Sequence, residues 1–390
     1  MFRTILLINR NKVKREAVRK KKIIISAFLA MFLAMIHCYN IAREKRSLTR
    51  RAIVHPNDSA WTKLYHDGAD LDFLALTGFN RAAFDELCGI IFENEEVNRR
   101  GRKMCLDQQA QVGLYLFYCC STMSQKFLCV LFGCVPACCS RTIHNIRNLI
   151  VEKLGKHPAG KVHWPSEREK IMYADMVRAR EPLITNVIGM TDGLRLEVKC
   201  NESPEAQALA YNFLSGTTNC NNILTFSPTG KVIHCVLNAP GSWHDSQACI
   251  PLIRLCLATI AGFFALCVDQ GFPRSGELLD VFLGPMSKKT RRALAPLLRE
   301  ALVRRCHALI SLRQASEWGM RSLQGSFSRL KTRLTEDSEV REKLIYSIVL
   351  LHNFRTEKVG INQIAKVFDP NHPQYINISG YQRLHRYYRV

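Results

Sequence analysis

Acidic residues are scarce in this chain of 390 residues: 33 Asp and Glu stand against 55 Lys and Arg, which leaves a formal net charge of +22. The sequence also lacks internal repeats and low-complexity segments. Apolar residues make up 47% and charged residues 23% of the chain, as in proteins that bury a core. This composition excludes a mostly disordered protein, a collagen-like protein and a polytopic membrane protein. The length suits two domains, or one large domain with extensions.

The excess of positive charge bears on partners rather than on fold, and the commonest partner of such a chain is a polyanion. The alternative is that the charge only keeps the chain soluble. Residues 1–55 form a basic extension, with fourteen Lys or Arg up to Arg51. Its run at residues 12–22 is typical of a nuclear-import or nucleic-acid-binding patch.

A short apolar run follows this patch. Residues 23–36 contain one polar residue, Ser26, whereas a bilayer span needs roughly 18 to 20 apolar residues; residues 37–39 could extend the run. A basic flank before an apolar run also begins a signal peptide or signal anchor. The sequence favours a packed helix, with a membrane or targeting segment over residues 23–39 as the alternative.

Paired zinc knuckles are lacking, although the chain has 16 cysteines. A zinc site usually takes ligand pairs separated by roughly two to four residues and repeated at a domain-sized interval. Cys134 and Cys138 could begin one, but no matching second pair follows. The dense cysteine patch over residues 119–139 lies among apolar residues, so we expect buried free thiols in a reducing compartment, with a metal site as the alternative.

Residues 56–180 have the apolar spacing of helices. A glycine turn separates helices over about 124–132 and 136–150, which is the outline of a helix-turn-helix. Several side chains of the second helix could reach DNA: Ser140, Arg141, His144, Asn145 and Arg147. Two packed core helices are the alternative interpretation.

The second half of the chain changes pattern. A short apolar run over residues 186–191 ends at Asp192, and residues 194–199 then alternate as in a half-buried strand. Further strands are indicated over residues 223–226, 232–237 and 263–268. Helices follow from about residue 291. A mixed sheet with helices added after hairpin strands gives an α/β fold, predicted over residues 185–368 and followed by a tail over 369–390.

Three acids occupy informative places in this pattern. Asp192 closes the first predicted strand, Asp269 closes the last, and Glu317 lies on the following helix. If the first and fourth strands are neighbours, the two aspartates converge at one edge and the helix can lay the glutamate over them. Carboxylates of this kind hold Mg²⁺, and two such ions support in-line phosphoryl displacement.

Each acid also has a simpler explanation. Asp192 with its following glycine is typical of a turn, and Asp269 of a loop. Glu317 has Arg313 and Arg321 one helical turn away on either side, as in solvated salt bridges. Spacing alone leaves both interpretations open.

Six motifs follow one another in the second half of the chain: Thr191-Asp-Gly-Leu194, Tyr211-Asn212, Pro240-Gly-Ser-Trp-His-Asp-Ser246, Val268-Asp-Gln-Gly-Phe-Pro273, Arg313-Gln-Ala-Ser-Glu-Trp-Gly-Met320 and Leu351-His-Asn353. In this order they resemble the motifs of the PIF/Harbinger group of DDE transposases, most closely the branch found in fungi and oomycetes. Residues 323–330 and 359–364 add to the similarity. It covers residues 186–368 closely and 70–180 loosely.

The resemblance implies a ribonuclease-H-like fold and metal-dependent cleavage and transfer of DNA strands at transposon ends. It also implies a divalent metal, Mg²⁺ or Mn²⁺, with four acids as candidate ligands: Asp192, Asp245, Asp269 and Glu317. The strand ends favour Asp192, Asp269 and Glu317 as the catalytic triad. Asp245 is either a further ligand or the N-cap of the helix that it begins.

Basic residues between Asp269 and Glu317 could contact the DNA backbone near the cut: Lys288, Lys289, Arg291, Arg292, Arg304 and Arg305. Thr191 departs from the family pattern, in which an apolar residue usually precedes the first acid. The alternative function is a domesticated DNA-binding protein without cleavage activity. The expected location is the nucleus, with membrane anchoring through residues 23–39 as the alternative. The resemblance leaves open whether a separate DNA-binding partner protein or an oligomer is needed.

Overall fold

The computed structural model describes residues 2–46, 48, 50–93, 105–199, 203–213, 215–286 and 296–370. The chain divides into two compact units, Met1–Val54 and His55–Val390. The helical region and the sheet region that the sequence distinguishes both fall in the second unit.

Helix α1, Phe2–Arg46, makes up most of the first unit. The side chains described at residues 16 and 18–41 are all exposed within this unit. The window Val18–Ile41, 24 residues, is long and apolar enough to cross a membrane. It exceeds the apolar run counted in the sequence because its bounds also include the basic residues 19–22 and residues 37–41.

Seven α-helices precede the sheet in the described part of the second unit. They are α2 (Ala60–Asp67), α3 (Asp70–Thr77), α4 (Arg81–Phe92), α5 (Gln108–Cys120), α6 (Gln125–Phe132), α7 (Pro136–Leu149) and α8 (Glu167–Arg180). Trp61 packs in their midst, stacked on Phe132 with ring centroids 5.2 Å apart and edge-on to Phe117 at 6.0 Å. Gly113 leaves room for the indole, because a Cβ at this position would overlap the ring.

Helices α6 and α7 have the geometry of a helix-turn-helix. Gly133 ends α6 with a φ of 65°, a conformation that glycine adopts readily. Pro136 stands at the start of α7, where its missing N–H costs no hydrogen bond. The chain bends by 99° between Gln125–Phe132 and Pro136–Leu154, within the range of about 90–120° found in such motifs.

A mixed sheet lies at the centre of the second unit. Its strands among the described residues are β1 (Val187–Glu197), β2 (Tyr211–Asn212), β3 (Thr217–Phe226), β4 (Val232–Pro240), β5 (Ala265–Val268) and β6 (Phe282–Leu283). Their order is β4-β3-β1-β5-β6, and the short β2 pairs with the start of β3. β3 runs antiparallel to both β4 and β1, whereas β5 and β6 continue the sheet parallel to β1. The predicted α/β class is confirmed, and this arrangement is ribonuclease-H-like.

Helices cover both faces of the sheet. They are α9 (Pro204–Ala210), α10 (Asp245–Ala248), α11 (Ile250–Thr259), α12 (Leu278–Val281), α13 (Pro296–Ser326), α14 (Ser338–Lys358) and α15 (Gln363–Phe368). Leu266 and Val268 of β5 share a core cluster with Leu252 of α11. Between them, the thiol of Cys267 lies 3.6 Å from the carbonyl oxygen of Leu309 on α13. Because successive strand residues face opposite sides, α11 and α13 lie on opposite faces.

Polar contacts join the helical region to the sheet region. The hydroxyls of Tyr115 on α5 and Ser347 on α14 are 2.6 Å apart in the interior. Arg329 donates from Nε to the carbonyl oxygen of Tyr118 at 2.8 Å and lies over the ring of the same residue. These buried and part-buried contacts explain why the two regions form one compact unit.

Candidate active site

Strand pairing sets Asp192 and Asp269 side by side. β1 runs parallel to β5 with Thr191 opposite Val268, so each aspartate is the next residue along its chain. One detail of the prediction is wrong: β1 does not end at Asp192 but continues to Glu197, paired with β3. The turn interpretation of Asp192 is wrong for the same reason. The acid lies within β1, at the level where β5 ends.

Glu317 is connected to this pair through Arg313. Arg313 and Glu317 are four residues apart on α13 and therefore share a face of the helix. The Nη1 atom of Arg313 is 3.3 Å from Oδ1 of Asp269, and its Nη2 atom is 3.0 Å from Oε1 of Glu317. The salt bridge expected for Glu317 therefore exists, and the same guanidinium joins the helix acid to the strand-end acid.

The carboxylate of Asp245 lies close to two glycines of the site, Gly193 and Gly271. A Cβ at Gly193 would lie 2.7 Å from Oδ1 of Asp245, and a Cβ at Gly271 would lie 3.2 Å from its Oδ2. Asn221 donates from Nδ2 to Oδ1 of Asp245 at 2.9 Å. The N-cap of α10 is His244, and Asp245 is the first helical residue. The helix-cap interpretation of Asp245 is therefore wrong, and its carboxylate lies close to the residues that follow the other two aspartates.

The acids influence one another electrostatically. Burial raises the pKa of Asp192 to about 6; the negative charges of Asp269 and Asp245 act in the same direction, and the N–H of Gly193 and the charge of Arg313 oppose them. The Gly193 N–H donates to Oδ1 of Asp192 at 2.8 Å. Mutual repulsion of this kind is relieved by a bound cation.

The spacing of the acids shows what a bound cation would change. In the described part of the chain, no three of the four acids bring their oxygens within 4.8 Å of one another. Arg313 lies between Asp269 and Glu317 and supplies the positive charge there. An ion shared by these two acids would take over that role, and Arg313 would have to move aside.

The residues predicted to contact DNA differ in whether the structure describes them and in how exposed they are. Those on the basic segment before α13 lie outside the described residues: Lys288, Lys289, Arg291 and Arg292. Arg304 and Arg305 are exposed on α13. Arg141 is exposed on α7, whereas Arg147 is only 5% exposed and its Nη2 atom is 3.1 Å from Nδ1 of His144. Of the two arginines on α7, the structure presents Arg141 to solvent and holds Arg147 inside.

Two of the sequence motifs fix the loop that leads to Asp245. Asn212 donates from Nδ2 to the carbonyl oxygen of Gly241 at 2.7 Å. At Gly241 a Cβ would overlap the carbonyl oxygen of Asn219, so only glycine fits this close approach. The Tyr-Asn and Pro-Gly motifs thus position an acid from a distance.

The Leu-His-Asn motif anchors α14 to the sheet. The Asn353 side chain accepts a bond from the backbone N–H of Val232 at 2.7 Å and donates to the carbonyl oxygen of Val232 at 2.9 Å. His352 lies 3.2 Å from the carbonyl oxygen of Gly230, and burial lowers the pKa of His352 to about 4. Asn362 donates to the same carbonyl and caps α15. These contacts are structural.

Comparison with known proteins matches this segment. Residues 191–353 match the family model described as DDE superfamily endonuclease. This part of the chain is similar to DDE endonucleases. The matched segment contains all four acids, which supports the resemblance to DDE transposases at the level of the superfamily.

Similarity to solved structures is weaker. One structure, described as the crystal structure of a pre-cleavage Mos1 transpososome, is 13% identical over 68% of this chain and 80% of that chain, with a TM-score of 0.20. A TM-score this low carries no structural argument. None of the curated proteins matches the chain.

Sequence reasoning missed three parts of the site. Asn221 precedes the strand predicted over residues 223–226, and only the structure shows that it is buried within β3 and so needs a polar partner. Gly193 and Gly271 belong to the two DDE motifs that contain Asp192 and Asp269, and each follows its acid within two residues. Their shared role, to admit the Asp245 carboxylate, appears only in three dimensions.

Proposed function

We propose that this chain is a metal-dependent DNA endonuclease of the transposase type, which cuts and transfers DNA strands. The observation that carries the proposal is the parallel register of β1 and β5, because it sets Asp192 beside Asp269. The similarity of residues 191–353 to DDE endonucleases supports it. The approach of Asp245 and the bridge from Arg313 to Glu317 supply the two further acids.

The donor set fits a hard divalent cation, Mg²⁺ or Mn²⁺. Such ions take oxygen ligands, and the site offers four carboxylates: Asp192, Asp245, Asp269 and Glu317. The negative charges of Asp269 and Asp245 add to the effect of burial in raising the pKa of Asp192, and a bound cation would offset these charges. A pair of bound ions supplies the activation of the attacking oxygen and the stabilisation of the leaving oxygen in an in-line displacement at phosphorus.

The chain's own residues prepare and hold this arrangement. Asn221 fixes one oxygen of Asp245 and so sets the direction of the carboxylate. Arg313 neutralises Asp269 and Glu317 while the acids lack another cation. Arg141 on α7 and the basic residues 288–292 would hold DNA by its phosphates, as Lys and Arg do in sequence-independent binding.

The finer identity that we propose is a PIF/Harbinger-type transposase that acts at transposon ends in the nucleus. It rests on the order of six motifs in the sequence. The structure gives physical roles to several of them, since Asn212, Gly241 and Asn353 position the loops and helices around the acids.

Metal-dependent cleavage of plasmid DNA by the purified full-length chain tests the function. We expect conversion of supercoiled plasmid to nicked and linear forms with Mg²⁺ or Mn²⁺, and none after chelation. Asp192→Asn should lower the rate at least about 100-fold, because loss of a direct ligand should cost no less than loss of a residue that only orients one. The matched control is Asp175→Asn, an exposed acid on α8 that pairs with Arg178 at 2.7 Å.

The outcomes separate cleavage from binding. Equal rates in the Asp192→Asn chain and the wild type would refute the assigned site. A wild-type chain that binds DNA with a steep salt dependence, yet yields no products with either metal, would instead identify the domesticated DNA-binding protein. Circular dichroism and the melting temperature establish that each variant is folded.

A further inference from the structure

Three cysteines meet at the turn between α6 and α7. Cys129 lies on α6, Cys134 in the turn and Cys139 in the first turn of α7. Their sulfur atoms all lie within 4.8 Å of one another, and all three residues are buried. The sequence suggested buried thiols here. The folded chain shows that these thiols converge on one point.

The cluster extends beyond the three. Cys138, which is partly buried, directly precedes Cys139 on α7. Its thiol interacts with that of Cys134. Ordinary core packing places single cysteines among apolar side chains, as at Cys256 of α11. Three buried thiols within 4.8 Å of one another differ from that pattern.

We propose that Cys129, Cys134 and Cys139 bind a thiophilic divalent ion, Zn²⁺, with Cys138 as the fourth ligand. Tetrahedral zinc–thiolate sites have Zn–S bonds of about 2.3 Å, which places neighbouring sulfurs roughly 3.8 Å apart. The observed limit of 4.8 Å for Cys129, Cys134 and Cys139 therefore requires these three sulfurs to draw in by about an ångström at most. Four protein ligands would leave no open position, as in structural zinc sites.

The site would differ in chemistry from the carboxylate cluster. Thiolates favour Zn²⁺, whereas the oxygen donors of Asp192 and Asp269 favour Mg²⁺ or Mn²⁺. Because the ligands come from α6, the turn and α7, the ion would fix the 99° bend between the helices. It would act on the shape of the helix-turn-helix, and the proposal holds whether or not the carboxylates cut DNA.

Metal content and cobalt spectroscopy of the full chain, purified under reducing conditions, test this site. We expect about one Zn²⁺ per chain, and in the Co²⁺-substituted chain the sulfur-to-cobalt charge-transfer band and strong visible bands of tetrahedral thiolate coordination. Cys134→Ser should lower the affinity for Zn²⁺ at least tenfold, on the order of the effect of weakened zinc ligation. The matched control is Cys256→Ser, a buried cysteine outside the cluster, which should bind zinc like the wild type.

A second measurement serves if the Cys134→Ser chain does not fold. In the wild type, Zn²⁺ should protect the four cluster cysteines from alkylation, and a chelator should expose them, as read by mass spectrometry of the peptides. Absence of the charge-transfer band, equal alkylation with and without the chelator, or disulfides among these cysteines in the reduced preparation would overturn the proposal.

Discussion

Asp245 depends on residues that have no side chain. Gly193 and Gly271 each follow an acid on a different strand, and their missing Cβ atoms admit its carboxylate. The strand pattern predicted the neighbourhood of Asp192 and Asp269, because alternation and strand ends are local features of a sequence. It left the role of Asp245 open, because the approach of a separate loop is not encoded by local periodicity.

The substitution Gly193→Ala should displace the Asp245 carboxylate with little effect on the stability of the fold. A Cβ in Gly193→Ala would meet the free end of the Asp245 side chain, so the carboxylate can swing away at little cost in folding. We expect the free energy of unfolding to change by less than about 1 kcal/mol, and metal-dependent cleavage to fall about 100-fold, the effect of a displacement near 1 Å.

The control for this substitution is Gly89→Ala in α4, where a Cβ would have no neighbour within 4 Å. It should leave cleavage unchanged. If Gly193→Ala also cleaves at the wild-type rate, Asp245 has no part in the reaction.

His352 predicts a pH dependence of stability. Burial holds its folded-state pKa at about 4, below the ordinary 6.5, so the unfolded chain takes up a proton that the folded chain does not. The stabilisation is complete above pH 6.5 and is lost as the pH falls towards 4. Between these values the free energy of unfolding should drop by up to about 1.4 kcal/mol per pH unit from this residue.

Urea denaturation at several pH values, followed by tryptophan fluorescence, measures this effect. His352→Gln should have a shallower slope between pH 6.5 and 4 than the wild type. His66→Gln, an exposed histidine on α2, serves as the control and should keep the wild-type slope. Identical slopes for His352→Gln and the wild type would contradict the buried neutral histidine.

At the scale of elements, helix α13, which bears Glu317, packs unusually close to the sheet. A Cβ at Gly319, two residues after Glu317, would lie 2.7 Å from the ring of Phe226 on β3. The sequence predicted that a helix bears the glutamate. It did not predict how near the helix lies to the sheet, because that distance is set by Phe226, which is distant along the chain.

Gly319→Ala should lift α13 from the sheet. Overpacking of this kind costs about 1–3 kcal/mol, and it should also weaken cleavage because Glu317 moves with the helix. Gly325→Ala, on the same helix with no atom within 4 Å of the added Cβ, should instead be neutral or stabilising by up to about 1 kcal/mol. Thermal denaturation and plasmid cleavage of both variants test this prediction. Equal stability of the Gly319→Ala and Gly325→Ala variants would show that the contact with Phe226 does not fix the helix.

At the scale of the whole molecule, the chain combines a basic, apolar α1 with a separate compact unit that holds the acids. The sequence counted too few apolar residues for a span and favoured packing. The structure shows an exposed window of 24 residues instead. Composition could not distinguish these alternatives, because a buried helix and a membrane helix are apolar alike.

Cell fractionation tests the role of α1. If α1 anchors the chain in a membrane, which is the alternative to a nuclear location, the full chain should sediment with membranes and resist extraction by carbonate, because a helix of 24 residues exceeds the roughly 20 needed to cross the hydrocarbon core. A chain of residues 55–390 should remain soluble. A full chain carrying Leu29→Lys and Leu33→Lys keeps the length but breaks the apolar window, and it should follow the shorter chain. Sedimentation of all three alike would rule out an anchor in α1.

The most direct test of the proposed carboxylate site is the binding of Mn²⁺, measured as loss of the electron paramagnetic resonance signal of the free ion. Mn²⁺ suits oxygen ligands and is poorly matched to the thiol cluster. Wild type and Asp175→Asn should bind it equally, whereas Asp192→Asn should bind at least about tenfold more weakly. Undiminished Mn²⁺ affinity in the Asp192→Asn chain would contradict a metal site built on this aspartate.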